Sequence, residues 1–133
     1  MNDGGFDLSG EWDGHFDYPL ALGPRTPFLA TITQQGRHFS GTIIEPDLYG
    51  GSTAAKAFIE GVITERAVDF TKTYSRASAA YSELVDYVGQ VQGDGDRITG
   101  MWSIYEINGT FEMTRLPLAT VKEQATISET APR

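Results

Sequence analysis

Residues 8–18, Leu-Ser-Gly-Glu-Trp-Asp-Gly-His-Phe-Asp-Tyr, alternate without a slip between two kinds of position. Leu8, Gly10, Trp12, Gly14, Phe16 and Tyr18 are apolar, aromatic or glycine, while Ser9, Glu11, Asp13, His15 and Asp17 are polar. Successive side chains of a strand point to opposite faces, so a period of two marks a strand with one dry and one hydrated face. The dry face has to be covered, and the segment therefore demands neighbours of its own kind.

The chain supplies seven of them. Segment 28–35 turns at Gly36 into 37–45, where Phe39, Gly41 and Ile43 share a face. Segment 56–64 turns at Glu65 into 67–74. Segment 84–91 aligns Val85, Tyr87, Gly89 and Val91 and passes through Gln-Gly-Asp-Gly-Asp-Arg into 98–106. The last, 109–115, is reached through Asn108–Gly109, a dipeptide favoured in tight hairpins. Eight short strands in chain order predict an all-β fold, a single antiparallel up-and-down β-barrel. The expected organisation is a flexible N-terminus (1–7), a barrel domain (8–116) and a polar C-terminal tail (117–133), where the period is lost.

Connector lengths give the barrel two different ends. The first, third and fifth connectors (19–27, 46–55 and 75–83) are long, and the second, fourth and sixth are short. Strands alternate in direction, so the long connectors gather at one end, a mouth, and the tight turns at the other, a floor. Segment 75–83 also fits a helical turn through Ala77, Ala79 and Ala80.

Composition narrows the function. A formal net charge of −8 repels phosphate backbones and acidic lipid, so neither nucleic acid nor a membrane is an expected partner. The absence of cysteine excludes disulfides, thiolate metal sites and cysteine nucleophiles. His15 and His38 fall on polar faces without a second ligand at metal-site spacing, so no metal and no cofactor are expected. No Gly-x-Ser-x-Gly nucleophile motif occurs. The N-terminal residues lack the pattern of a secretory signal and no apolar run reaches membrane-spanning length, which points to a cytoplasmic location.

Gly10-Glu11-Trp12 lies on the first strand, and Arg115 ends the last on the face of Phe111 and Met113. In a closed meander these strands are antiparallel neighbours, which brings Arg115 beside Trp12 at the floor, where a guanidinium can stack on an indole. The chain in this respect resembles the calycin group of barrels: lipocalins, fatty-acid-binding proteins and avidins. Those families share a Gly-x-Trp near the start of the first strand with a basic residue of the last strand packed across it. The resemblance covers residues 8–116 as architecture, and in length and compact loops it is closest to avidins. It implies a calycin-type barrel able to hold a small molecule. The chain departs from the group in lacking a helical lid between the first two strands, the cysteines and long C-terminal helix of many lipocalins, and the polar set of a biotin site.

The inward face carries the candidate site. Phe16, Phe39, Phe70, Val85, Trp102, Phe111 and Met113 form apolar walls. At the mouth the same face reaches Tyr18, Glu45, Lys72 and Tyr74, with Tyr87 near them. An inward carboxylate and ammonium are costly unless paired or hydrated, and two roles stay open for them: a rim bridge, or recognition of the polar end of a ligand whose apolar body lies against the rings. The first function expected is binding of a largely apolar small molecule that enters at the long-loop end. A second is a small barrel enzyme, with Glu45 as general base and Lys72 or Tyr74 as electrophilic partner. For Trp12 and Arg115 the expected role is closure, and Trp102 is expected to line a cavity. A third function is a scaffold with a filled barrel: Leu84, Val88, Met101, Tyr105 and Ile44 face outward and predict a homodimer or higher homo-oligomer.

Overall fold

The structure, a computed structural model, describes residues 6–45, 55–75 and 84–117. Its strands are β1 (Gly10–Asp17), β2 (Thr26–Gln35), β3 (His38–Glu45), β4 (Ala55–Thr64), β5 (Ala67–Tyr74), β6 (Val85–Gln92), β7 (Arg97–Ile104) and β8 (Ile107–Arg115). Each pairs antiparallel with the next, and β1 pairs with β8, so the sheet is a closed barrel in chain order. One short 3-10 turn, Pro19–Ala21, follows β1.

Alternation places the core as the sequence predicts. Along β2 the side chains alternate between buried and exposed from Thr26 to Thr33, and Trp12, Phe16, Phe39, Phe70, Val85, Tyr87, Trp102, Phe111 and Met113 are all buried in one cluster. Followed from Gly14 through every pair, the register returns to β1 displaced by about ten residues. Eight strands with that stagger tilt steeply and enclose a lumen that side chains can fill. Four glycines on the inner face make room for rings: Gly14 is paired with Phe28, Gly61 with Phe70, Gly100 with Phe111 and Gly109 with Trp102. The ring of Phe28 lies where a Gly14 side chain would start. Much of the space the glycines vacate is thus taken by aromatic neighbours.

One turn falls elsewhere than its sequence suggests. Ile104 pairs with Ile107, so the β7–β8 turn is Tyr105–Glu106, and Asn108–Gly109 lies inside β8. Tyr105 takes the left-handed conformation (φ 53°) that two-residue turns require. The pairing of Gly109 with Trp102 explains the shift, because a Cβ at Gly109 would come within 2.7 Å of the indole. Tyr105 is accordingly a turn residue, 78% exposed, and not an outward strand residue.

Of the segment expected to be flexible, residues 1–5 lie outside the described residues, whereas Phe6 and Asp7 contact the floor. The helical alternative for 75–83 and most of the 46–55 connector also lie outside them, as does the tail from residue 118.

Candidate functional site

The two ends of the lumen are built from different parts. At the floor, the Arg115 guanidinium stands 4.5 Å over the Trp12 ring. Its Nη1 donates to Ser9 O (2.6 Å), and its Nη2 donates to Asp7 O (2.6 Å) and Gly95 O (3.3 Å). Trp12 is fully buried and its Nε1 donates to Leu8 O at 2.9 Å. Sequence reasoning missed two members of this closure. Gln34 Oε1 accepts from Leu8 N, and its Nε2 donates to Phe6 O and Gly36 O. Arg66 lies 4.9 Å over the Phe6 ring and donates to Val91 O. The signal for Gln34 was a polar residue at an inward position near a strand end, beside the turn at Gly36.

Above the floor the rings meet across the lumen. Phe70 stacks on Tyr87 at 4.8 Å and meets Phe39 and Phe111 edge-on at 5.7 and 5.9 Å. Because β5 and β8 are three strands apart, the Phe70–Phe111 contact spans the interior. Met113 is buried below.

The mouth end holds the polar constellation. Each of β1, β3, β5 and β7 runs toward it, and their last inward residues are Tyr18 just past β1, Glu45, Tyr74 and Ile104. Glu45 and Lys72 are 5% and 2% exposed. Lys72 Nζ donates to Glu45 Oε2 at 3.1 Å, and Tyr74 Oη donates to Glu45 Oε1 at 2.7 Å. The Tyr87 phenol is a further neighbour that favours the Lys72 charge. Three rings surround the ammonium: Phe16 at 4.5 Å, Tyr74 at 4.9 Å and Tyr87 at 5.4 Å. Since β1 lies opposite β5, the Lys72 side chain crosses the lumen to reach Phe16.

Electrostatics keep this group in one protonation pattern. Burial works against the Lys72 charge, but Tyr87, Glu45 and Tyr74 outweigh it and hold the lysine above its usual pKa. Burial pushes the Tyr74 and Tyr87 phenols up as well, against the opposing pull of Lys72.

Trp102, expected to line a cavity, is 4% exposed and packs edge-on against Phe16 (6.1 Å) and Tyr18 (5.3 Å), its Nε1 donating to Asp17 O at 3.0 Å. Gly23, in the β1–β2 connector, lies against the Tyr18 ring. Phe28, whose parity pointed inward, also belongs to this layer, 6.4 Å from Phe16. The histidines stay on the outer face. His15 lies 3.6 Å from Asp17, and among the described residues no three His, Cys, Asp or Glu side chains gather as a metal site would need.

A solved structure of a redesigned β barrel is similar to this chain, with a TM-score of 0.63 and 12% identity over 83% of this chain and 92% of that one. No protein-family model matches the sequence, and no curated protein matches it. At such identity the likeness speaks for the fold: the chain is an eight-stranded antiparallel up-and-down barrel.

Proposed function

We propose that the protein is a calycin-like barrel that binds a small, largely apolar molecule at its mouth, between Tyr18, Tyr74 and Trp102 and above the Glu45–Lys72 pair. One observation carries this reading. A hydrogen-bonded ion pair is buried under the mouth of a barrel whose closure uses a different cation, Arg115. A buried pair adds little net stability over apolar residues of the same volume, so architecture alone gives weak reason to place one there. Apolar walls with a few convergent polar groups are the usual composition of small-molecule sites. The rings crossing the lumen below Lys72 limit the ligand to the upper layer.

The test uses a neutral apolar probe, N-phenyl-1-naphthylamine. Saturable binding of one probe per chain, with blue-shifted emission and weakened by Tyr18→Arg, is expected; failure to saturate overturns the reading. The enzymatic alternative has less support, because both Glu45 oxygens already accept hydrogen bonds. A scaffold role is favoured by one feature: Val88 and Met101 pair directly on the outer face and are 52% and 48% exposed. Sedimentation velocity comparing wild type with Met101→Glu tests it, and an unchanged monomer in both removes it.

A further inference from the structure

The arrangement of Glu45 on Lys72 and Tyr74 resembles a carboxylate held in a binding site, except that the carboxylate belongs to the chain. One oxygen takes a proton donor from an ammonium and the other from a phenol. Three rings fix the ammonium, and its strand is held on both sides by the ladder. Glu45, by contrast, is the final residue of β3. Its side chain can leave the lumen without disturbing a pair beyond the one with Ala55.

We infer that the ligand is a compact aromatic or short apolar carboxylate that displaces Glu45 and takes over its bonds to Lys72 and Tyr74. This inference rests on the small-molecule reading above. Three considerations support it. Lys72 is 2% exposed, so an incoming oxygen reaches its ammonium by taking the place of its present partner. Exchange of one anion for another leaves the site neutral, whereas a neutral ligand in the same place would strand a buried ammonium. The partners suit an anion: an ammonium and a phenol both donate, and charge-assisted bonds of this kind are about twice as strong as neutral ones. Size follows from the packing. Phe39, Phe70, Tyr87 and Phe111 touch ring to ring beneath the site, which leaves a long alkyl chain no path downward. The aromatic surroundings, Phe16, Tyr18 and Trp102, favour a planar body.

The experiment compares two probes of equal shape, 2-naphthoate and 2-naphthalenemethanol, by fluorescence titration of the full chain. In wild type the acid should bind about tenfold tighter than the alcohol. Glu45→Gln removes the internal competitor and leaves Lys72 without a counter-ion, so affinity for the acid should rise several-fold while that for the alcohol stays level. Lys72→Met should erase the preference for the acid. Because Lys72→Met alone leaves a buried carboxylate, Glu45→Gln/Lys72→Met is titrated beside it, with circular dichroism to verify folding, and should likewise show no preference. Equal binding of both probes in wild type, or equal tightening of both in Glu45→Gln, overturns the exchange while leaving apolar binding intact. If N-phenyl-1-naphthylamine binds and neither naphthalene does, the acid inference falls alone; if no probe binds, it falls with the reading it rests on.

Discussion

Arg115 at the floor and Lys72 at the mouth each sit 4.5 Å from an aromatic ring of β1, Trp12 in one case and Phe16 in the other. Their remaining contacts differ. The guanidinium spends its donors on three main-chain carbonyls and ties the N-terminal segment to the β6–β7 turn. The ammonium faces a carboxylate and two phenols, all of them side chains. A planar fork of donors suits fixed carbonyls, whereas a compact charge on a flexible stem suits a partner that can be replaced. The comparison teaches that one barrel can use the same cation-on-ring contact twice, tied to main-chain carbonyls at one end and to side chains alone at the other.

The largest test of that division is Trp12→Ala. Removing a fully buried indole from under Arg115 should cost about 3–5 kcal/mol in urea denaturation, with probe affinity of the molecules that remain folded unchanged. Loss of affinity in the folded fraction would break the separation of floor from mouth. Next comes Lys72→Met, which leaves Glu45 buried without its cation and should cost about 3 kcal/mol. Glu45→Leu/Lys72→Met should recover most of it, since an apolar pair of similar volume is commonly as stable. If the double variant is no more stable than the single, the ion pair is itself a structural element and the contrast with Arg115 disappears.

Alkaline pH separates the ends more gently. Lys72, Tyr74 and Tyr87 all have pKa values raised by folding. Above pH about 10 the unfolded chain releases protons that the barrel still holds. Their contribution is therefore complete below that pH and is lost as pH rises toward the folded values, by up to about 1.4 kcal/mol per pH unit for each group. Denaturation midpoints measured from pH 8 to 11 should fall, and Tyr87→Phe should flatten the fall while Trp12→Phe does not. The smallest effect concerns the mouth turn. Tyr105 is held at φ 53°, a conformation that costs an L-residue about 1 kcal/mol, so Tyr105→Gly should raise stability by about that much. A decrease would show that the exposed ring makes a contact worth more than the strain.

The alternation beginning at Leu8 made the strands, their order and the identity of the inward residues legible, because in a barrel parity alone decides which side chains meet. It also brought Glu45, Lys72 and Tyr74 to one end, since β3 and β5 run the same way. What parity cannot encode is distance across the lumen. That Lys72 reaches Phe16 on the opposite wall, or that Trp102 turns onto Tyr18 and Gly109, depends on stagger and tilt, which no local pattern specifies. The misplaced β7–β8 turn has a similar origin: Asn-Gly is a good local turn, but covering an indole outweighed it. Gln34 was overlooked because its bonds go to backbone 26 and 28 residues earlier.

The Arg115 staple has a kinetic corollary. Its bonds to Ser9 and Asp7 join residues 106 and 108 positions apart, so sealing must wait until nearly the whole barrel sequence has left the ribosome. Until then β1 and the growing end of the sheet are open edges, able to pair with other chains. Joining the two ends of so long a stretch of chain carries a large loop-closure cost, so ring closure is expected to come last in the assembly of this sheet.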